Sequence, residues 1–217
     1  TEFTIPLNGA SVIGSDDFII YVAKDTLLNK KAEDKYFQGL TMEFNLTVDE
    51  KSIAHILTEV GDLTGAGDAQ LNLKITSLGD FEMRGDYVIN QGKFDFTANN
   101  LINKTFDLRK GGSIRWTGDP TDAAINLNAV YARRVSIAPL YDAAGRGLSD
   151  DAGSQTVLAE AEMQLTNTLL DPEINFELNF PNNPSIKTEL QGYLNNKDNK
   201  NQQAINLIVR NSFNGNT

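Results

Sequence analysis

The feature that most constrains the fold of this chain is a period-two alternation of apolar and polar residues. In residues 173–180 the apolar side chains of Ile174, Phe176 and Leu178 alternate with glutamate and asparagine. Successive side chains of a β-strand point to opposite faces, so this pattern predicts a strand that is buried on one side only. Similar alternation marks six further runs, which are residues 42–48, 71–76, 81–89, 93–97, 113–117 and 124–131.

The apolar faces of these predicted strands need a cover. No helical pattern of comparable length occurs before residue 185. The faces must therefore pack on one another, as in a sandwich, a barrel or a solenoid, or line a groove. The alternation by itself leaves these architectures open.

Residues 111–131 are predicted to form a β-hairpin with one apolar face. Gly111 and Gly112 favour a tight turn, and Pro120 lies in the turn between the two strands. Ile114 and Trp116 fall on the same face. The default role of an aromatic side chain there is core packing, with the lining of a groove as the alternative for Trp116.

Glycine and asparagine clusters predict the breaks between strands. Residues 61–62, 65–68 and 90–92 are predicted as turns. The segments 24–39 and 138–156 are predicted as loops, the second one mobile, because they lack any periodicity.

Helical spacing of apolar residues appears near residues 50–60 and in the C-terminal tail. Residues 50–60 fit a helix slightly better, but their β-branched residues leave a strand open. In the tail, Ser185 is predicted to cap a helix, and a polar gap at 195–203 separates it from a second helical patch. The chain thus divides into a β domain, 1–184, and an amphipathic helical tail, 185–217.

The charge balance and the lack of cysteine exclude several classes of function. Lys and Arg number 19 against 29 Asp and Glu, giving a net charge of −10. A nucleic-acid partner is not expected, because proteins that bind nucleic acids carry a basic surface. The absence of cysteine removes disulfides and thiol-bound metals. The sequence contains no run of 18 apolar residues, so no membrane-spanning segment is predicted in it.

Catalytic chemistry is not expected either. His55 is the only histidine, so no histidine cluster exists, and a structural or surface role is expected for it rather than catalysis. The aspartate pairs lack the spacing of a calcium loop and are explained by turn chemistry. Glu173 and Glu177 share a predicted polar strand face, which indicates solvation rather than paired-carboxylate catalysis. We therefore predict a protein that is not an enzyme and has no cofactor or metal.

Several motifs recur in a particular order along the chain. They are G-x-G followed by L-x-L at 65–73, GDFEMRGDYVINQGKFDF at 79–96, GGSIRWTGDPTDAAINLNAVY at 111–131 and LLDPEINFELNFP at 169–181. The opening GSDDFIIYV at 14–22 and the closing QQAINLIVRNSF at 202–213 fit the same series. In this order the motifs resemble the C-terminal domain of TamB, in the family of AsmA-like envelope proteins. The many asparagines are similar to those of a Bacteroidota-type member.

The resemblance implies an all-β fold with short C-terminal helical segments. Residues 50–60 are then expected as a strand. All seven alternating runs should join one long, curved, mostly antiparallel sheet, folded on itself like a taco around an apolar interior or groove. The residues expected to line this hydrophobic groove are Leu71, Leu73, Phe81, Met83, Tyr87, Ile89, Phe94, Phe96, Ile114, Trp116, Ile125, Leu127, Tyr131, Ile174, Phe176, Leu178 and Phe180.

The resemblance also implies a function in the envelope of a Gram-negative bacterium. The chain would be a fragment of a longer protein that is anchored in the inner membrane and crosses the periplasm to the outer membrane. Its partner would be an Omp85-class outer-membrane barrel protein that is TamA-like. The groove would take phospholipid acyl chains or unfolded outer-membrane β-strands, for lipid transport or protein assembly. The alternative is a cell-surface carbohydrate-binding or structural β-solenoid or sandwich, and an open apolar surface would separate the two.

Overall fold

The structure, a computed structural model, describes residues 2–6, 40–58, 61–77, 79–98, 102–147 and 156–215. The predictions for residues 14–22 and 24–39, and for the 148–155 part of the predicted loop, lie outside these ranges.

The described residues form ten strands and four short helices. The strands are β1 (Glu2–Pro6), β2 (Thr41–Val48), β3 (Ile53–Thr58), β4 (Gly61–Thr76), β5 (Phe81–Ala98), β6 (Ile102–Leu108), β7 (Ser113–Gly118), β8 (Ala124–Ser136), β9 (Thr156–Asn167) and β10 (Pro172–Asn179). The helices are α1 (Ala138–Ala143), α2 (Ser185–Glu189), α3 (Gln191–Leu194) and α4 (Lys197–Arg210).

All ten strands belong to one sheet. Its order is β1-β3-β4-β5-β6-β8-β9-β10, with β2 pairing the second half of β4, and β7 lying between β5 and β8. The neighbouring strands are antiparallel except for β1 and β3, which are parallel. The seven alternating runs all lie in this sheet, so the predicted long, mostly antiparallel sheet is confirmed.

The long strands β4 and β5 show that the turns predicted at 61–62, 65–68 and 90–92 are wrong. β4 begins with residues 61–62, which are already extended, and runs through 65–68 without interruption. In β5, Asn90 is the extra residue of a β-bulge, because Gly67 pairs with Ile89 while Ala66 pairs with Gln91. The bulge shifts the alternation by one residue, so that side chains facing the interior change from odd to even numbers beyond it.

The glycines of β4 permit a close approach of neighbouring strands instead of a turn. A Cβ atom at Gly67 would lie 2.2 Å from the carbonyl oxygen of Val88 and 2.9 Å from Cζ of Tyr87. The Tyr87 hydroxyl donates a hydrogen bond to the carbonyl oxygen of Gly65 at 2.9 Å. The small residues thus make room for a buried aromatic ring within the sheet.

Two ambiguous segments take a defined form through pairing and packing. The strand at 50–60 is confirmed as β3, which pairs with β4 on one side and β1 on the other. The predicted loop at 138–156 is wrong in its first part, because residues 138–143 form α1 and bury Leu140 and Tyr141. A helix of six residues is too short to show its period in the sequence.

The C-terminal tail is helical, but two predictions about it are wrong. These are Ser185 as the cap of the first helix and a break between helices at 195–203. Pro184 is the N-cap residue of α2 and no side chain caps this helix, so Ser185 is its first residue. Helix α4 runs through the predicted gap. Its cap is Asn196, whose Oδ1 accepts hydrogen bonds from the amides of Asp198 and Asn199 at 2.9 and 3.1 Å. The buried residues of these helices join the same core as the sheet. The division at residue 184 stays a prediction.

Candidate apolar ligand cavity

The buried face of the sheet and helix α4 together enclose an apolar cavity of about 280 Å³. Every side chain that lines it is apolar. The lining residues are Leu63, Phe94, Phe96, Phe106, Leu108, Ile125, Leu127, Met163, Leu165, Leu169, Pro172, Ile174, Phe176, Ile205, Ile208 and Val209.

The position of this cavity shows that the sheet curls. Leu63 on β4 and Phe176 on β10 line the same space, although five strand-to-strand steps separate them in the sheet order. In a flat sheet these strands would lie roughly 24 Å apart, at ~4.8 Å per step. Twisting and coiling of the sheet bring its early and late strands to one interior.

Helix α4 covers the side of the cavity that the sheet leaves open. It contributes Ile205, Ile208 and Val209, of which Ile208 is buried. The other two are 47% and 43% exposed, and Ile174 on β10 is also 43% exposed. These three exposed aliphatic side chains mark a mouth where the cavity meets the solvent.

Aromatic side chains form the wall of the cavity on β5 and β6. The ring centroids of Phe94 and Phe96 are 6.1 Å apart, and each lies 6.5 Å from that of Phe106. Their tilted and edge-on arrangements are those that aromatic pairs favour. The wall is therefore a surface of mutually packed aromatic rings.

The structure divides the predicted groove residues into two groups. Those that line the cavity are Phe94, Phe96, Ile125, Leu127, Ile174 and Phe176. Those buried elsewhere in the core are Leu71, Met83, Tyr87, Ile89, Ile114, Trp116, Tyr131, Leu178 and Phe180, while Leu73 and Phe81 are partly buried against it. Their role in binding a ligand stays a prediction.

The sequence also missed ten of the lining residues. Several of them lie on β4, β6 and β9 and alternate with polar residues in the sequence, as Phe106 and Met163 do, so this alternation could have indicated them. The lining residues of α4 could not be predicted, because the helical spacing of apolar residues does not determine which strands a helix packs on.

At one end of the cavity, Tyr131 holds two cations on an otherwise apolar face. Its ring centroid lies 5.7 Å from that of Phe106. The hydroxyl accepts hydrogen bonds from Lys104 Nζ at 3.2 Å and Arg133 Nε at 3.0 Å, and donates one to Asn211 Oδ1 at 2.5 Å. Both cations also lie over the ring, 5.2 and 5.0 Å from its centre.

Glu177 connects the helical tail to strand β10. Its carboxylate accepts hydrogen bonds from Lys187 Nζ at 3.3 Å and from Lys200 Nζ. Partial burial by itself raises the pKa of Glu177, but the hydrogen bonds and charges of Lys200 and Lys187 outweigh it and lower the pKa below the usual carboxyl value. Glu177, whose side chain is 31% exposed, is therefore ion-paired as well as partly solvated.

The cavity itself supplies hydrophobic contact and no acid–base group. Within the described ranges, no group of three or more His, Asp or Glu residues is arranged to hold a metal ion. In the same part of the chain, no helix has the length and apolar character that crossing a membrane requires.

These features define a class of protein, an all-β domain whose single sheet curls around an apolar interior. The sequence matches the family described as the TamB C-terminal domain over residues 2–217. The chain belongs to this family, and the resemblance drawn from the motifs is confirmed. No curated protein shows a significant match to the chain. Membership of the family supports a role in the cell envelope, whereas the Bacteroidota-type assignment stays a prediction.

Proposed function

We propose that this domain is a non-enzymatic module of a TamB-like envelope protein that gives phospholipid acyl chains an apolar passage towards the outer membrane. The observation that carries the proposal is the cavity of about 280 Å³, which has only apolar walls and an aliphatic mouth. At about 280 Å³ the cavity lies just below the roughly 300–1,000 Å³ of small-molecule pockets, so it suits a segment of an acyl chain rather than a whole lipid.

The expected strength of binding fits transport better than storage. Each buried methylene contributes about 0.8 kcal/mol, so a segment of about five would give roughly 4 kcal/mol before the cost of association. A ligand held this weakly exchanges readily. Such exchange is what a passage between two membranes requires.

An unfolded β-strand is a less suitable occupant for the cavity. A peptide has one N–H and one C=O group per residue, and the apolar walls would leave these groups unpaired. A role in protein assembly is instead supported by strand β2. Three of its apolar side chains are exposed, Met42 at 42%, Phe44 at 48% and Leu46 at 37%. Within the described residues β2 pairs only with β4, and an unpaired strand edge is the kind of site to which a further strand adds.

The remaining parts of the proposal come from the family. We infer that the domain acts in the periplasm, within a longer protein anchored in the inner membrane, and that its partner is a TamA-like barrel protein of the Omp85 class. A carbohydrate-binding surface would need exposed aromatic platforms. Among the large apolar side chains exposed in the described ranges, Phe44 is the only aromatic one.

The substitution Leu127→Asp tests the passage. Leu127 lines the cavity and is 3% exposed. We expect the variant to fold, because water entering through the mouth can hydrate the new carboxylate, and to bind a fluorescent long-chain fatty acid at least about tenfold more weakly. The measurements are thermal unfolding and a fluorescence titration. Asn126→Asp, on the exposed opposite face, should change neither.

Retained folding with retained binding in Leu127→Asp would contradict the proposal. If that variant unfolds, Ile174→Asp at the mouth decides the question, because this side chain is exposed and its replacement leaves the core intact. Unchanged binding in Ile174→Asp would then overturn the proposed passage.

A further inference from the structure

Two cations share the interior side of the sheet near the cavity. Lys104 on β6 lies opposite the cavity residue Phe96 on β5. Arg133 follows Tyr131 by two residues on β8, so both point to the same side. Strands β6 and β8 pair at Leu108–Ala129, and the same register continued along them would set Lys104 opposite Arg133. Like charges in such positions destabilise a sheet.

Within the described residues, neither cation has an acidic partner. No carboxylate of the described residues lies within 4.0 Å of Lys104 or Arg133. Their hydrogen-bond partners are neutral, namely the Tyr131 hydroxyl and, for Lys104, the Asn211 amide oxygen at 3.5 Å. Arg133 uses only its Nε atom, so its two terminal nitrogens remain available in the described part of the chain. Such a planar fork matches the oxygens of a phosphate group.

The cations lie directly beyond one end of the cavity. Phe96 and Phe106 line the cavity, and the ring of Tyr131 continues this aromatic wall to the cations. On the helical side, Asn211 follows the cavity residue Val209 by two positions. An apolar space therefore ends in a pair of positive charges, which is the complement of an amphiphile with an anionic head.

We propose that Lys104 and Arg133 bind the phosphate group of a phospholipid whose acyl chain enters the adjacent cavity. This inference rests on the acyl-chain function proposed above. The chain carries a net charge of −10, so general attraction cannot draw an anionic lipid to it. A local site is required, and Tyr131 holds the two cations in place for it.

The test compares two lipids that differ only in the head. Short-chain phosphatidylglycerol and the diacylglycerol with the same chains are titrated into the whole chain, and inorganic phosphate is titrated separately. The double variant Lys104→Gln/Arg133→Gln should lose at least about tenfold in affinity for phosphatidylglycerol, because charge-assisted hydrogen bonds are removed. Its affinity for diacylglycerol should stay unchanged. Arg134→Gln removes one positive charge, as Arg133→Gln alone does, but from the opposite face of β8, and it should behave as the unaltered protein.

An equal loss in Arg134→Gln, or no loss in the double variant, would overturn the site. Inorganic phosphate that binds as tightly as the lipid would also overturn it in favour of a free-phosphate site. Glutamine is chosen because its side chain can still donate a hydrogen bond to Tyr131. If the double variant unfolds, Arg133→Gln alone replaces it in the test, because Arg133 is exposed. If diacylglycerol binds with the same affinity as phosphatidylglycerol, only the headgroup site is overturned. If neither lipid binds, the acyl-chain function is overturned as well.

Discussion

At the scale of single residues, Glu177 makes the attachment of the helical tail depend on pH. Its folded-state pKa is lowered, so its ionised form stabilises the fold at pH values above the pKa of the unfolded carboxyl. This stabilisation is lost as the pH falls through the lowered pKa. Because the lysines are partly exposed, at 51% for Lys187 and 21% for Lys200, we expect Glu177→Gln to cost only about 1 kcal/mol at neutral pH. Chemical denaturation at several pH values measures this difference.

Glu173→Gln is the matched control for this prediction. Glu173 lies on the same side of β10, is exposed, and makes no ion pair within the described residues. Its replacement should change the free energy of unfolding little at any pH. A Glu177→Gln difference that persisted unchanged into the acidic range would show that the carboxylate charge is not the cause.

The sequence predicted the faces of many single residues but not their tertiary partners. Leu127 and Asn126 lie on opposite faces, because successive side chains of a strand point to opposite sides of the sheet. Glu177 follows the same rule, yet it is half-buried, because lysines ten and twenty-three positions further along the chain reach it. Gly67 suggested a turn, although its small size serves the packing of Tyr87.

At the scale of the element, the cap of helix α4 determines where the cover of the cavity begins. Asn196 satisfies two amides of the first turn, and removing such a cap costs about 1 kcal/mol. We expect Asn196→Ala to lower the stability by this amount and to speed amide hydrogen exchange in the first turn of α4. Hydrogen exchange followed by mass spectrometry measures the effect.

Asn195→Ala tests the specificity of that cap. Asn195 is exposed and precedes the cap, and its side chain makes no hydrogen bond within the described residues. Its replacement should leave exchange in α4 unchanged. Equal acceleration in both variants would show that Asn196 has no special part in starting the helix.

Pairing partners explain why some elements were predicted and others were not. Strand β10 was clear from the alternation of apolar and polar residues in its own sequence. Strand β5 was divided wrongly, because a bulge at Asn90 shifts the alternation as a break between two strands would. Strand β3 was ambiguous on its own residues, and two neighbouring strands settle its form.

At the scale of the whole molecule, the sheet could be predicted from the sequence but its curl around one cavity could not. One-faced strands without covering helices require apolar faces to meet, and this requirement holds for any closed or curled sheet. That Leu63 on β4 lines the same cavity as Phe176 on β10 depends on the accumulated twist of the strands between them. The position of α4 over the remaining gap depends on packing that no local pattern records.

If the cavity holds acyl chains, site-specific photo-crosslinking in the bacterial envelope should capture lipid at its wall. A photoreactive benzoylphenylalanine in place of Phe96 would lie in the cavity wall, whereas the same group in place of Asp95 would lie on the exposed face. We predict that mass spectrometry finds phospholipid adducts at position 96 and none at position 95. Absence of lipid adducts at position 96, or equal yields at both positions, would contradict the account.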